Sequence, residues 1–310
     1  MVDLVDARRG CNRVPRVTQI RLPIHGGECI NVPCDLRTRP TETRQGLPQE
    51  HLLRTRPGAR AVSWTGECGS VAPTPESPYD AIARLYDPWS RSVIEDVGFY
   101  VEEAVAAGGP VVELGVGTGR IAIPTAAAGV EVIGIDSSQG MLDVCAEQAR
   151  RAGVADRLDL RLGDLLRPPV DERVPLVTCP FRAYLHLQDD AERHEALTAA
   201  HELLLPGGRL VFDVFAPGAD DVAETHGRWI EREPGIYERA DWDTQEQVLT
   251  LSVKDDRHES TMTLSWLEPA RWQVLLADAG FEVAAVYGWF DRRPYAGGED
   301  TVFVATKRSS

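Results

Sequence analysis

The chain has 310 residues, 43% of them apolar and 26% charged, a composition typical of one large globular domain or two small ones. Its net charge is −15, with +3 in the first 77 residues and −18 in the remainder, and this disfavours a nucleic-acid substrate because phosphate backbones attract basic surfaces. The apolar runs are too short for a membrane span and the N-terminus lacks the apolar segment of a secretory signal, so we expect a cytoplasmic protein that acts on a small molecule.

Residues 1–77 differ from the rest of the sequence. They contain eight prolines and sustain neither helical nor alternating periodicity, and such a segment buries too little apolar surface to offset its ordering entropy. One hypothesis is a disordered N-terminal segment. Another is that the natural protein begins later, at Val62 or Val71, which N-terminal sequencing of the natural protein would test.

The six cysteines occupy positions 11, 29, 34, 68, 145 and 179. They show no Cys-x-x-Cys spacing and no nearby histidine pair at zinc spacing. The pattern therefore predicts free thiols in a reducing compartment and no bound metal.

From residue 78 onward the sequence predicts two helices, at about 78–86 and 92–107, and then an alternation of strands and helices. The predicted strands are 111–114, 131–135, 157–162, 174–179 and 209–215, and the predicted helices are 118–128, 138–152 and 189–204. This alternation indicates a parallel sheet covered by helices on both faces.

Residues 220–266 break the alternation. Three consecutive β segments, at 236–242, 248–254 and 260–266, predict an antiparallel insertion. A helix from 269 to 279 and strands at 281–290 and 300–306 end the chain, and the link between these strands is too short for a crossover helix, so they should pair antiparallel. We therefore predict a three-layer, Rossmann-like α/β sandwich over residues 78–310, with a seven-stranded, mostly parallel sheet and a C-terminal antiparallel hairpin.

A glycine-rich loop, Gly115 to Gly119, directly follows the first strand. Glycines there allow positive φ and close approach of a ligand, and the following helix offers free N–H groups. Asp136 ends the next strand, where a carboxylate can accept both hydroxyls of an adenosine ribose. A dinucleotide fingerprint would have a third glycine at the position of Arg120, so the loop disfavours a nicotinamide cofactor.

The run Glu113-Leu114-Gly115-Val116-Gly117-Thr118-Gly119 resembles the first motif of class I S-adenosylmethionine-dependent methyltransferases. The terminal hairpin, the Gly163-Asp164-Leu165 segment after the third strand and the Leu204–Leu210 stretch are also similar to that family. The resemblance covers about residues 79–307 and implies S-adenosyl-L-methionine as cofactor.

The same resemblance implies which residues meet each part of the cofactor. Gly115, Gly117 and Gly119 line the methionine part, with Thr118 beside them, and Glu113 orders this loop or meets the amino group of the cofactor. Asp136 binds the ribose, and the adenine is flanked by Ser137, Met141, Asp164 and Leu165. Pro180 and Phe181 lie near the sulfonium methyl, and Tyr79 and Tyr86 form an N-terminal cover. Plainer interpretations stay open: Asp136 as a helix cap, Asp164 as a solvated turn residue, and both tyrosines as core aromatics.

The end of the fourth strand reads Thr178-Cys179-Pro180-Phe181, which differs from the motifs of adenine and cytosine methylases. We interpret Cys179 as a small buried residue and not as a nucleophile. His186 follows the same strand and is the candidate general base, with helix capping or gap filling as the alternative.

The insertion is predicted to form a lid over the acceptor. It and the C-terminal part supply aromatic side chains that suit an apolar or cationic acceptor, although most of them could instead form the core of the small β layer. They are Trp229, Tyr237, Trp242, Trp266, Trp289, Phe290 and Tyr295. Two histidines of the insertion, His226 and His258, are candidates only for acceptor contacts.

These observations predict a methyltransferase that acts on a nitrogen or oxygen of a small molecule by in-line displacement. Two alternatives stay open at this stage. One is a nicotinamide-dependent oxidoreductase, and the other is a non-catalytic protein that binds S-adenosylmethionine.

Overall fold

The structure is a computed structural model that describes residues 77–90 and 94–308. The predictions for residues 1–76, including the alternative starts and four of the six cysteines, lie outside the described residues. Of the cysteines inside them, Cys145 and Cys179 are free and buried.

Within the described residues, helices and strands follow one another in the predicted order. The helices are α1 (Ala83–Trp89), α2 (Glu95–Ala107), α3 (Ala122–Ala127), α4 (Gln139–Ala152), α5 (Asp190–Leu203), α6 (Ala219–Thr225) and α7 (Pro269–Asp278). The strands are β1 (Val111–Leu114), β2 (Val132–Asp136), β3 (Leu158–Leu162), β4 (Val174–Cys179), β5 (Leu204–Phe215), β6 (Trp229–Glu233), β7 (Ile236–Asp243), β8 (Val248–Lys254), β9 (Glu259–Ser265), β10 (Phe281–Tyr287) and β11 (Asp300–Lys307).

The larger sheet has the strand order β10-β11-β5-β4-β1-β2-β3. Strands β1 to β5 pair in parallel, whereas β11 pairs antiparallel with both β10 and β5. The predicted seven-stranded, mostly parallel sheet with a C-terminal antiparallel hairpin is confirmed. The order reverses at β1, so the carboxyl ends of β1 and β4 border the crevice in which such sheets bind ligands.

The smaller sheet is antiparallel, with the order β6-β7-β8-β9, and confirms the predicted β insertion. Its first strand, β6, and the short helix α6 were not predicted. In β6 neither face is buried, and Trp229 is exposed, so the strand lacks the apolar alternation from which a strand is recognised.

The helix after the glycine loop begins at Ala122, four residues later than predicted. Gly115, Gly117 and Gly119 have φ values of 73°, 55° and 87°, and these left-handed conformations cannot belong to a right-handed helix. Two further differences are that β10 ends at Tyr287, before the predicted 290, and that β5 begins at Leu204, before the predicted 209, because this residue already pairs with Val174.

A buried aromatic cluster supports the turn that carries His186. Trp272 of α7 is fully buried and stacks on Tyr184, with ring centroids 6.1 Å apart, and Tyr184 also contacts Phe212 of β5. Tyr184 belongs to the 3-10 turn Ala183–His186, so packing in the core fixes the position of the His186 ring. Among the described residues no helix is long and apolar enough to span a membrane.

Gly119→Ala is expected to destabilise the protein by roughly 2–4 kcal/mol, the combined cost of a left-handed alanine and of overpacking. A Cβ at this position would lie 2.6 Å from Cys145 Sγ and 2.8 Å from Ile123 Cδ1. The matched control is Gly153→Ala, where φ is also positive but no atom lies within 4 Å, so only the backbone cost of about 1–2 kcal/mol is expected. Urea unfolding measures both variants, and equal losses would contradict the steric argument.

Candidate functional site

Two cavities of about 370 Å³ each lie side by side and share four lining side chains: Tyr79, Tyr86, Phe181 and His186. The first, here called the glycine-loop cavity, is bounded by Gly115, Gly117, Asp136 and Met141. The second, here called the β-layer cavity, lies between the shared side chains and the smaller sheet and is bounded by Phe215, Trp242 and Leu249. Both volumes fall within the usual range for small-molecule sites.

Asp136 organises the floor of the glycine-loop cavity. Its Oδ2 accepts a hydrogen bond from Gly117 N at 2.8 Å, and its Oδ1 accepts one from Ser138 N at 2.9 Å. Burial raises the pKa of this carboxyl group above its usual value, against the opposing effect of these hydrogen bonds. Since a carboxylate has about four acceptor positions, lone pairs remain for further donors in the cavity.

The structure brings twelve of the fifteen predicted site residues to the glycine-loop cavity. They are Tyr79, Tyr86, Gly115, Gly117, Asp136, Ser137, Met141, Asp164, Leu165, Pro180, Phe181 and His186. The other three, Glu113, Thr118 and Gly119, do not line the cavity.

The buried side chains behind the loop hold it in place. The Thr118 hydroxyl donates to Asp87, so it is turned away from the cavity. Burial raises the pKa of Glu113 to about 8, although the Arg120 guanidinium and the Ala122 N–H oppose this shift. Glu113 is thus buried, with a hydrogen bond from the Ala122 N–H, and its side chain does not line the cavity.

Asp164 has features of both interpretations that the sequence left open, a cofactor-site residue and a solvated turn residue. It lines the glycine-loop cavity, but its Oδ1 accepts hydrogen bonds from Leu166 N at 2.9 Å and Arg167 N at 2.7 Å. The side chain is exposed, as the turn-residue interpretation requires. Only the remaining acceptor capacity of its carboxylate is available to a ligand.

The N-terminal cover is held by two aspartates that sequence reasoning did not single out. Asp80 Oδ1 accepts from Ser138 Oγ at 2.6 Å and from Gly140 N at 2.9 Å. Asp87 accepts from Thr118 Oγ1 and, at 2.5 Å, from Gln148 Nε2. The repeated pairs Tyr79-Asp80 and Tyr86-Asp87 are the signal that could have revealed them, because each tyrosine faces the cavities while the aspartate next to it anchors the segment.

His186 lies at the junction of the two cavities. Its Nε2 is 2.9 Å from the Tyr79 hydroxyl oxygen, and the two rings pack edge to face at 5.4 Å. Burial lowers the pKa of His186 to about 4, so the imidazole is neutral at physiological pH. A neutral ring can accept a proton, but the low pKa makes it a weak base.

Phe181, the third shared side chain, is fixed by a buried carboxyl group. Phe181 and Arg182 both have left-handed backbone conformations, with φ values of 53° and 65°. Asp213 Oδ1 accepts from Phe181 N at 2.8 Å and from the Tyr100 hydroxyl at 2.6 Å. Burial raises the pKa of Asp213 to about 6. The sequence signal for Asp213 is a lone acid within the otherwise apolar run 210–215.

Cys179 is the last residue of β4, two residues before Phe181, and its thiol is fully buried. Burial raises its pKa well above the usual value, so the group stays a thiol. This agrees with the interpretation of Cys179 as a small packed residue.

The walls of the β-layer cavity differ from the prediction. Of the seven aromatic residues assigned to the lid, only Trp242 lines this cavity. Trp266 is buried behind Trp242, with ring centroids 5.5 Å apart, and Phe290 packs on Phe99 of α2. The aromatic wall instead consists largely of side chains outside the insertion: Tyr79, Tyr86, Trp89, Phe181 and Phe215.

Neither histidine of the insertion reaches either cavity lining. His226 Nδ1 accepts a hydrogen bond from Trp242 N at 3.0 Å, so it holds the edge of β7. His258 is exposed beside Asp255 in the β8–β9 turn. The prediction that these side chains contact an acceptor is therefore not supported by their positions.

Comparisons with known proteins agree on one family. The methyltransferase-domain family profile matches residues 111–208. An uncharacterised methyltransferase of Geobacillus kaustophilus is 34% identical over 178 residues, which cover 56% of this chain and 79% of that protein. The cypemycin N-terminal methyltransferase of a Streptomyces species is 26% identical over 241 residues, covering 74% of this chain and 94% of that protein.

Among solved structures, the CcbJ methyltransferase of Streptomyces caelestis superposes with a TM-score of 0.65 at 28% identity, covering 76% of this chain and 99% of that chain. An S-adenosylmethionine-dependent methyltransferase of Clostridium acetobutylicum superposes with a TM-score of 0.62 at 13% identity, covering 75% of this chain and all of that chain, a likeness that concerns the fold alone. Both likenesses extend over about three quarters of the chain.

Proposed function

Since this chain belongs to the class I S-adenosylmethionine-dependent methyltransferases, we propose that it transfers a methyl group from S-adenosylmethionine to a nitrogen or oxygen of a small-molecule acceptor. The observation that carries the proposal is the contact between the two cavities. One contains the glycine loop and Asp136, the other has six aromatic side chains in its lining, and Tyr79, Tyr86, Phe181 and His186 border both. Membership of this family disfavours the nicotinamide-dependent alternative.

The residues of the glycine-loop cavity fit S-adenosylmethionine. A Cβ at Gly117 would meet no atom within 4 Å, so this backbone is open to a ligand, and Asp136 beside it has lone pairs for two ribose hydroxyls. Met141, 2% exposed, and Leu165 supply apolar surface where the adenine is proposed to lie. We propose that Gly115 and Gly117 meet the methionine part, with Glu113, Thr118 and Gly119 ordering the loop from behind.

When bound, S-adenosylmethionine supplies a methyl group on a positively charged sulfur that is already a good leaving group. The protein then has to hold the acceptor atom in line with that methyl group and keep water away, and orientation of this kind can contribute several kcal/mol. Phe181 and Tyr86 pack edge to face at 6.3 Å and are proposed to border the transfer path. Ring faces also attract cationic groups.

Two observations support a small acceptor. The β-layer cavity is a confined volume of about 370 Å³, and residues 78–310 carry a charge of −18, which disfavours nucleic acid. The cypemycin N-terminal methyltransferase, which is 26% identical, is named for N-terminal methylation, and this is consistent with a nitrogen acceptor in this protein.

His186 is proposed to receive the proton that the acceptor loses, directly or through the Tyr79 hydroxyl. We expect His186→Ala to lower kcat at neutral pH by about a hundredfold, the lower end of the range for a general base because its low pKa makes it a weak one, with little change in S-adenosylmethionine affinity. The control is His194→Ala, because His194 is exposed on α5 and lines neither cavity. If His186→Ala keeps full turnover at neutral pH, the residue is not the base.

The main test incubates the protein with S-adenosylmethionine and each member of a panel of small amines, phenols and sugars, and measures the S-adenosylhomocysteine that is formed. Parallel calorimetric titrations with S-adenosylmethionine, S-adenosylhomocysteine and NAD complete it. We expect binding of the first two and product release with at least one acceptor. Binding without product release across the panel would favour the non-catalytic alternative, and absence of S-adenosylmethionine binding would overturn the proposal.

A further inference from the structure

The β-layer cavity contains two carboxyl groups that the proposed methyl transfer does not use. Asp221 lies in the first turn of α6, and Glu299 immediately precedes β11. Both carboxyl groups line the cavity and lie beside Gly218, where an added Cβ would be 2.4 Å from Glu299 Oε1 and 3.6 Å from Asp221 Oδ2. Within residues 77–90 and 94–308, neither of them forms a salt bridge with a basic side chain.

The two arginines that line this cavity are engaged by other acids. Arg182 Nη2 donates to Asp300 Oδ1 at 2.7 Å, and its guanidinium also lies over the ring of Phe215. Arg232 Nη2 donates to Glu238 Oε1, likewise at 2.7 Å. His186, the remaining basic group of the lining, is neutral. The negative charge of Asp221 and Glu299 is therefore not compensated by the cavity itself.

Two adjacent carboxyl groups do not both ionise without a cation. The hydrogen bond with Asp221, together with burial, raises the pKa of Glu299 to about 7, so the pair holds a shared proton near neutral pH. A positively charged ligand placed between the two groups would replace that proton. Such an arrangement is suited to recognise a cation and disfavours an anionic acceptor.

One further polar group of the lining has no partner. Ser90 is only 6% exposed, and its hydroxyl oxygen is buried without a hydrogen-bond partner among the described residues. An unsatisfied buried hydroxyl costs about 1–3 kcal/mol, but this oxygen has almost no accessible surface, so a ligand would reach it only after the side chain turns towards the cavity. Next to it, Trp89 adds an aromatic face, held by donation from its Nε1 to Glu238 Oε2 at 2.6 Å.

We propose that the acceptor carries an ammonium group, and that Asp221 and Glu299 bind this group in the β-layer cavity. The inference rests on the proposed methyl transfer, because it identifies the β-layer cavity as the acceptor site. It concerns recognition of the positive charge, whether or not the same nitrogen receives the methyl group. Trp89 and Trp242 add aromatic rings to the same lining, and ring faces attract cations.

Gly218 offers a way to move Glu299 without changing any charge. A Cβ at Gly218 would lie 2.4 Å from Glu299 Oε1, the far end of a flexible side chain. The backbone of Gly218 has φ −74° and ψ 159°, which alanine adopts readily. Gly218→Ala should therefore displace the Glu299 carboxyl group at little cost in stability.

The experiment uses the full chain saturated with S-adenosylhomocysteine and calorimetric titration of matched probes. Each set has one carbon skeleton that bears an ammonium, a hydroxyl or a carboxylate group, for example 2-phenylethylamine with 2-phenylethanol and phenylpropionate, or glucosamine with glucose and glucuronate. We expect at least one ammonium probe to bind ten times more tightly than its hydroxyl partner, since hydrogen bonds to charged groups are worth about 1.5–3 kcal/mol.

Asp221→Asn, Glu299→Gln and Gly218→Ala should each reduce this ammonium preference several-fold or more, and the double variant Asp221→Asn/Glu299→Gln should remove it. The control Asp220→Asn changes an exposed acid of the same helix and should leave the preference unchanged. Thermal unfolding and S-adenosylhomocysteine affinity, measured for every variant, show that the fold and the glycine-loop cavity are intact.

Three results would overturn the proposal: no ammonium probe binding more tightly than its neutral partner, a preference that survives in the double variant, or binding of Mg²⁺ or Ca²⁺ at the pair without ammonium preference. Failure of the proposed function is seen separately, as absence of S-adenosylhomocysteine binding. In that case the same probe sets are titrated against the cofactor-free protein.

Discussion

Asp136→Ala is expected to weaken S-adenosylmethionine binding at least a hundredfold. The proposed hydrogen bonds from two ribose hydroxyls to a charged acceptor are worth about 1.5–3 kcal/mol each, and roughly 3 kcal/mol corresponds to a hundredfold change in affinity. The variant also leaves Gly117 N and Ser138 N without their acceptor, so the loop that approaches the cofactor loses its support.

Calorimetric titration with S-adenosylmethionine measures the effect. The matched control is Asp143→Ala, since Asp143 is exposed on α4 and its side chain accepts a hydrogen bond from Gln139 of the same helix. Asp136→Asn is a second variant, because an amide has a single acceptor oxygen where the carboxylate has two. Unchanged S-adenosylmethionine affinity in Asp136→Ala would refute the ribose role. A lower S-adenosylmethionine affinity in Asp143→Ala would show that the assay reports the stability of α4.

Asp96→Ala is expected to destabilise the protein by about 3–5 kcal/mol, the range for breaking a buried ion pair by removing one partner. Asp96 lies in α2 with a fully buried side chain, and its two carboxylate oxygens accept from Arg120 Nη1 at 2.8 Å and Nη2 at 2.6 Å. For a domain of this size the loss corresponds to a fall in Tm of roughly 6–20 °C.

A second consequence of Asp96→Ala concerns the junction of the cavities. The Arg120 guanidinium lies 4.3 Å from the ring centroid of Phe181, so loss of its bidentate partner should loosen one shared wall. We therefore expect kcat to fall more than S-adenosylmethionine affinity. Thermal unfolding and steady-state kinetics test these effects, with Asp256→Ala as control, because the Asp256–Arg257 pair is exposed and should contribute less than about 1 kcal/mol. A stability within 1 kcal/mol of the unmodified protein would contradict the argument.

Features that depend on neighbouring residues were predicted well from the sequence. Strand β8 spans the predicted residues 248–254, and helix α4 differs from its prediction by one residue, because apolar periodicity marks both elements locally and Gly153 marks the end of α4. Boundaries were less accurate where backbone conformation overrides composition, as in the loop before α3. The strand β6 was missed because its side chains are too exposed to leave a pattern.

The residues of the candidate site were likewise predicted from local patterns, whereas the direction of their side chains was not. Most of the predicted residues that line the glycine-loop cavity belong to strand ends and the turns after them, and parallel strands bring those ends to one edge of the sheet. Thr118 and Glu113 illustrate the limit, since a motif indicates that residues act together but not which way each side chain points. The predicted lid aromatics illustrate it further. On β7, Tyr237 and Trp242 are five residues apart and face opposite sides of the sheet, and only Trp242 lines the cavity.

The sequence by itself determined the fold class and the adenosine-type loop, because a strand, a glycine turn, a helix and the next acidic strand end form one continuous segment. Only the tertiary structure decided what faces the acceptor. Asp221 and Glu299 are 78 residues apart, Ser90 is more distant still, and no local pattern relates them. They line one cavity because the β layer packs over the carboxyl edge of the sheet, and long-range packing of this kind brings together the acidic pair that we propose selects the acceptor.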